Sequence, residues 1–243
     1  MKEPRRPAPG LGIPGKSWLL LASSLALFTL TLALGYLGKT YGSPGPDLAM
    51  DQLLISGRNP ILTALFLGLH SLFSPLGNII ILALACLLLV TLKKPLKAIA
   101  FGSLVSIGWL SSEVGKIAIL RLRPPADATQ ALIAEAGHDS FPSGHTAFAT
   151  ALAWGAILVL AQSRHQRTVN AVAGAVLVTV VAYSRLYLGV HYPSDVLGAV
   201  LISTAAILLW LPVWNRLVEP PLLKSSLVAR MTDTPTKEEM ADE

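Results

Sequence analysis

Apolar runs set the first limit on what this chain can become. Six stretches, at 17–37, 76–92, 98–120, 143–161, 168–187 and 195–214, are apolar over about the length that a helix needs to cross a membrane. At that length and hydropathy each is expected to span as a helix. Composition agrees: 53% of residues are hydrophobic, 14% are charged, and the mean hydropathy is +0.59. A soluble globular class is thereby excluded, and an all-α bundle of six transmembrane helices is the expected fold. The first run follows a basic tail, as a signal peptide does, but it is too long and lacks a small-residue cleavage site, so it reads as a retained anchor. A shorter run at 61–73, containing His70, falls well short of a ~30 Å hydrocarbon core and reads as an interfacial helix on the side of the site. The stretch at 38–59 is polar and turn-rich, and is expected to be loop.

Charge orients the bundle. With the N-terminus inside, thirteen Lys and Arg residues fall on the inner side and six on the outer: Lys39, Arg58, Lys116, Arg121, Arg123 and Arg185. Lys116, Arg123 and Arg185 belong to motifs discussed below, which leaves three topogenic positives outside and fixes both termini in the cytoplasm. The net charge of +5 is spread between apolar runs, so nucleic acid is not an expected partner. The chain divides into a cytoplasmic tail at 1–16, a membrane-embedded domain at 17–215 and a polar cytoplasmic tail at 216–243. Cys86, the single cysteine, lies in an apolar run and reads as packing; no intrachain disulfide can form. No Asn-x-Ser/Thr acceptor occurs, in keeping with a bacterial source.

Three polar segments interrupt the runs, and all three fall on the outer face. The first holds Lys116 and Arg123-Pro124. A Lys at that depth is costly unless it snorkels, pairs with Glu113 one turn earlier, or meets an anion. If the helix continues past Lys116, Arg123 lies about two turns on and shares its face, and Pro124 and Pro125 end it. The second segment, Pro142-Ser143-Gly144-His145, opens a run. A helix N-terminus offers free N–H groups, Gly144 lets an anion approach closely, and Ser143 serves either as phosphate donor or as an ordinary N-cap. A protonated His145 there is unfavourable unless an anion is bound. In the third, Ser184-Arg185 precedes His191, and Asp195 follows four residues later. Asp195 either complements a helix N-terminus or accepts the His191 Nδ1–H and aims Nε2 outward as a nucleophile.

This combination resembles the type 2 phosphatidic acid phosphatase superfamily of integral membrane phosphatases. The family pattern runs Lys, six residues, Arg-Pro; then Pro-Ser-Gly-His; then Ser-Arg, five residues, His, three residues, Asp. The resemblance covers roughly residues 60–215. It implies His191 as nucleophile, Asp195 as its orienting partner and His145 as acid, with Lys116, Arg123, Ser143, Gly144 and Arg185 holding the phosphate oxygens. The substrate it implies is a lipid phosphate or diphosphate, such as undecaprenyl diphosphate, phosphatidylglycerophosphate or phosphatidic acid. An external site suits recycling of a spent isoprenoid carrier diphosphate at a bacterial inner membrane.

No cofactor or metal is expected. A two-metal phosphatase needs converging carboxylates, and Asp127, Glu135 and Asp139 show no tight ligand spacing. With His138 they read as loop polarity or rim contacts, and His70 reads as a residue on an apolar face. Two other functions fit the same residues: a phosphotransferase with an acceptor other than water, and a non-enzymatic binder or transporter. Transport is disfavoured because the charges gather at one face instead of mid-membrane. The sequence leaves the oligomeric state open.

Overall fold

The computed structural model describes residues 11, 18–41, 45–135 and 137–225. Apart from residue 11, the expected N-terminal tail lies outside the described residues, as do residues 226–243 of the C-terminal tail. The described residues are helical and contain no strand. In chain order the helices are α1 (Trp18–Tyr41), α2 (Pro46–Ile55), α3 (Pro60–Leu72), α4 (Pro75–Thr91), α5 (Pro95–Ile119), α6 (Ala126–Thr129), α7 (Gly144–Gly155), α8 (Arg164–Tyr187), α9 (Pro193–Val213) and α10 (Glu219–Lys224). Helix α7 continues as a π-helical turn over Ala156–Leu160, and α9 continues through Trp214–Val218 into α10.

Each of the six long apolar runs is therefore helical. Four helices, α1, α5, α8 and the path Pro193–Lys224, are long and apolar enough to cross a membrane. A fifth arises if α3 and α4, bent by 68° at their junction, form one span. The apolar helix Gly144–Leu160 is shorter. The last helical path extends to Lys224, beyond the end of the apolar run at 214.

Local chemistry explains the boundaries. Asn59, Ser74 and Ser163 each cap a helix by accepting a backbone N–H, from Leu62 (3.0 Å), Gly77 (3.2 Å) and Gln166 (3.1 Å). The Ser163 cap starts α8 four residues before the apolar run at 168. Helix α2 forms within the stretch expected to be loop: Pro46 sits in its opening turn and Asp47 complements the dipole. Helix α5 ends at Ile119, not beyond Arg123 as the two-turn spacing suggested. Leu120 takes a left-handed conformation (φ +52°), and the Lys39 ammonium donates to the Ile119 carbonyl at 2.7 Å. Arg123 precedes a proline, which also disfavours helix there.

Helices α5, α7 and α9 form the centre. Phe101, Leu104, Val105, Phe148, Ala149, Ala151 and Ile207 are all buried in one cluster there. At Gly108 the three helices meet so closely that a Cβ would lie 2.9 Å from both Ala151 and Ile207, a small-residue contact typical of membrane helices. Polar links cross between helices: Trp154 donates to Thr204, Trp210 to Ser103, and Ser24 on α1 to the Ala205 carbonyl on α9. Helices α1, α4 and α8 pack around this centre and leave Leu21, Leu25, Leu84, Leu87, Val172 and Val176 exposed, an apolar surface suited to lipid.

Candidate active site

The site is assembled at the ends of α5 and α8 and the starts of α7 and α9. Those ends meet because the loops between them bond to one another. The Ser143 N–H donates to the Asp195 carbonyl at 3.2 Å, joining the start of α7 to the start of α9. The Ser140 N–H donates to the Arg121 carbonyl at 3.1 Å, and Leu132 N–H to the Leu188 carbonyl at 3.0 Å. Arg58 clamps the rim from outside: its guanidinium donates to the carbonyls of Tyr187, Gln130 and Thr129 at 3.0, 2.6 and 2.9 Å.

His191 stands at the centre, only 2% exposed. Its Nδ1 lies 3.3 Å from Asp195 Oδ2, a carboxylate that can only accept while ionised. Its Nε2 lies 3.2 Å from the Arg123 guanidinium, which can only donate. The two contacts select the tautomer with the proton on Nδ1 and the lone pair on Nε2. Burial pushes the His191 imidazole well below its ordinary pKa, and Arg123 and Arg185 act in the same direction against the opposing Glu135. A neutral imidazole with an aimed lone pair is the nucleophilic form.

Asp195 is held on every side. Its carboxylate accepts from Arg121 (2.7 Å), Ser140 Oγ (2.5 Å) and the Tyr192 N–H (3.0 Å) as well as from His191. Arg121 in turn pairs with Asp47 of α2 at 2.8 Å and stacks over the Tyr192 ring at 3.9 Å. Neither Arg121 nor Asp47 stands in a sequence motif, and by sequence Arg121 reads only as a topogenic charge. Lys39, Arg58 and Arg121 all make structural ties at this end of the bundle.

A cavity of about 480 Å³ opens in front of His191. It is lined by Lys116, Arg123, Glu135, Gly144, His145 and His191 and by the apolar Phe73, Trp109 and Leu110. Thus Lys116, Arg123, Gly144, His145 and His191, drawn from all three sequence segments, share one cavity. The end of α5 at Ile119 does not separate Lys116 from Arg123, because the turn at Leu120 brings the chain back toward the same space. A Cβ on Gly144 would lie 3.7 Å from Lys116 Nζ and 3.8 Å from Ser112 Oγ, so no protein atom demands glycine there. Ser143 does not line the cavity: it is fully buried and its Oγ accepts from Thr146 N–H (3.5 Å) and Oγ1 (3.2 Å), the ordinary N-cap arrangement.

The cations are already paired. Lys116 donates to Glu113 at 2.8 Å. Arg123 pairs with Glu135 at 2.5 Å and with Asp139 at 3.0 Å. Arg185, with no exposed surface, donates to Glu135 at 2.7 Å and contacts His70 Nδ1 at 3.0 Å. Burial raises the Glu135 carboxyl pKa, but Arg185 and Arg123 more than offset that and hold it below its ordinary value. Asp139 is likewise lowered, its Arg123 hydrogen bond and charge outweighing burial. His145 Nε2 lies 3.2 Å from the His70 carbonyl, which requires the proton on that nitrogen, and the two rings stack at 5.3 Å. Glu135 and His70, read from sequence as loop polarity or a rim contact and as an apolar-face residue, are thus central contacts. Neither stands at a motif spacing; only their tertiary position reveals them.

Comparison with known proteins places this arrangement. Residues 96–219 match the family model of the PAP2 superfamily. Human sphingosine-1-phosphate phosphatase 2 is 37% identical over 111 residues, 45% of this chain and 27% of that protein. Its mouse counterpart is 33% identical over 111 residues, 45% of this chain and 30% of that protein. The match therefore spans less than a third of the length of these curated relatives. Among solved structures, a transmembrane PAP2-type phosphatidylglycerolphosphate phosphatase from Bacillus subtilis superposes with a TM-score of 0.66 at 24% identity, covering 77% of this chain and 93% of that one. Aquifex aeolicus LpxE superposes with a TM-score of 0.54 at 23% identity, covering 67% and 93%.

Proposed function

The chain belongs to the PAP2 superfamily, and on that premise we propose that it is a membrane phosphatase that hydrolyses a lipid phosphate or diphosphate through a phosphohistidine. The observation that carries this reading is the orientation of His191: Nδ1 on a buried carboxylate, Nε2 beside a guanidinium, at the wall of a cavity lined by both charged and apolar residues. The names of the relatives and structural neighbours, phosphatases of sphingosine 1-phosphate and of phosphatidylglycerolphosphate, support the lipid phosphate class.

In this mechanism His191 Nε2 attacks phosphorus in line as the phosphorus–oxygen bond to the lipid breaks. His145, protonated on both nitrogens once the bound phosphate offsets the cost of its charge, gives its Nδ1 proton to the departing oxygen while its Nε2–H stays on the His70 carbonyl. Lys116, Arg123, Arg185 and the Gly144 N–H stabilise the charge on the equatorial oxygens, and Asp195 stabilises the charge that forms on the His191 ring. Water, deprotonated by the now basic His145, then attacks the phosphohistidine and returns His191. Ser143 contributes by fixing the start of α7. The lipid tail stays against Phe73, Trp109 and Leu110, and the head group reaches the site from the outer leaflet of a bacterial inner membrane, with both termini in the cytoplasm. The integral membrane domain is taken as 17–215, with tails on either side.

The test is phosphate release from detergent-solubilised lipid phosphates by purified protein in excess chelator. Activity that survives chelation and vanishes in His191→Ala is expected; activity abolished by EDTA rules out the metal-free route. Labelled lipid substrate separates hydrolysis from transfer to another acceptor. Binding of substrate without any turnover by the wild type returns the site to the binder reading.

A further inference from the structure

The cavity holds more acceptors than a phosphate can use. Lys116 and Arg123 line it, the fully buried Arg185 meets it through Glu135, and these three cations are matched by three carboxylates, Glu113, Glu135 and Asp139, so the formal charges of the six balance before any substrate arrives. Glu135 occupies the fork between the two guanidiniums, where phosphate oxygens must sit beside His191 Nε2. Phosphate cannot take that fork unless Glu135 leaves it. The Glu135 side chain is 20% exposed, so it borders open space, while its non-helical segment is tied on either side by Leu132 N–H to the Leu188 carbonyl and by Arg123 N–H to the Gly137 carbonyl. A further acceptor, Asn78 Oδ1, is buried at the cavity wall with no partner among the described residues. Displaced carboxylate and orphan amide both call for a donor, and a purely anionic head group has none to give. A diphosphate adds only charge of the sign that is already in excess once Glu135 is displaced.

We propose that Glu135 is a specificity-determining residue: it yields the Arg123–Arg185 fork to the substrate phosphate and then pairs with a protonated amine that the lipid carries within a few bonds of that phosphate. This rests on the lipid phosphatase reading above and narrows its substrate to a zwitterionic phosphomonoester. The sign of the selection follows from Coulomb attraction in a half-buried site, where a charge-assisted hydrogen bond outweighs its exposed counterpart. The same carboxylate repels a phosphomonoester without the amine, because it must then move aside without a partner.

The test compares two substrates in detergent micelles, dodecyl phosphate and the same molecule with an amine on the carbon next to the phosphate-bearing one. Wild-type kcat/KM is expected to favour the amine by about tenfold or more, the worth of one charge-assisted hydrogen bond. Glu135→Gln is expected to raise KM for the amine substrate and lower it for the plain one, collapsing the preference to within about threefold. Equal wild-type activity on both substrates leaves the phosphatase reading intact and overturns this inference, and it does so without any variant. A preference that persists unchanged in Glu135→Gln also overturns it. Hydrolysis of neither substrate, together with none on other lipid phosphates, removes the phosphatase reading and this inference with it.

Discussion

His191 stands between two carboxylates that are built in opposite ways. Asp195, on the Nδ1 side, has no exposed surface and accepts from Arg121, Ser140, Tyr192 and His191 together. Glu135, on the Nε2 side, is partly exposed and holds two guanidiniums from a non-helical loop. The first arrangement is fixed: four donors hold the two buried oxygens, Arg121 on Oδ1 and Ser140, Tyr192 and His191 on Oδ2, and removing Arg121 strands a buried charge. The second is exchangeable, since a phosphate offers Arg123 and Arg185 the same hydrogen bonds. Arg121 and Arg123, two residues apart, serve these two ends. The nucleophile proposed above needs one neighbour that does not move and another that gives way to substrate, and a carboxylate of each kind lies on either side of the ring.

The largest effect should come from the residue between them. His191→Ala is expected to lower phosphate release by at least about 10³-fold, as loss of a nucleophile does. Next, the two arginines should separate stability from catalysis. Arg121→Met strands Asp195 and Asp47, and is expected to cost about 3–5 kcal/mol of stability, read as a lower unfolding temperature in detergent. Arg123→Met should lower kcat/KM by about 10²–10³-fold with a smaller change in unfolding temperature. Equal thermal losses in both variants would dissolve the distinction between the fixed and the exchangeable side.

Gly144→Ala should fold normally and raise KM, by roughly tenfold, because its methyl group points to Lys116 and Ser112 across space the anion needs. A neutral result there would show that the phosphate sits elsewhere. Proton linkage gives the smaller effects. The native state resists protonating His191, so the unfolded chain binds more protons below a pH of about 6.5, and stability should fall as pH drops through that value. His191→Asn should flatten that part of the curve. Asp51 of α2 is the converse case. Burial first, then Asp195 and Asp47, push its carboxyl up to about 8 against the pull of Arg121, and neither oxygen has a partner among the described residues. The native state then holds a proton that the unfolded chain has lost, so stability should fall as pH rises from about 4 to about 8. Asp51→Asn is expected to raise the unfolding temperature by a few degrees at neutral pH.

The helices and the chemistry-bearing segments were legible for different reasons. Apolar run length marks helices directly: the six runs are helical in the structure, and four of the helices are long and apolar enough to cross a membrane by themselves, a fifth only if α3 and α4 form one span. Lys116, Arg123, Gly144, His145 and His191 stood out because they interrupt those runs. Helix α2 was not legible as a helix because its flanks are turn-rich, although Pro46 and Asp47 mark its start. Arg121, Asp47, Glu135 and His70 lie at no motif spacing, and their partners are 50 to 115 residues away in the cases of Arg121 with Asp195 (74), Arg185 with Glu135 (50) and Arg185 with His70 (115). Such pairings depend on how loops from different helices close over one cavity. The continuing helix expected through Arg123 failed for a local reason, the left-handed turn at Leu120.

The most direct measurement is the chemical identity of the intermediate. Protein quenched during turnover of a lipid substrate labelled at its phosphate should carry label that is labile to acid and stable to alkali, on the peptide containing His191. That label should be absent from His191→Ala. Turnover with no covalent label, in an enzyme whose hydrolysis step has been slowed by His145→Ala, or label on any other side chain, contradicts the account.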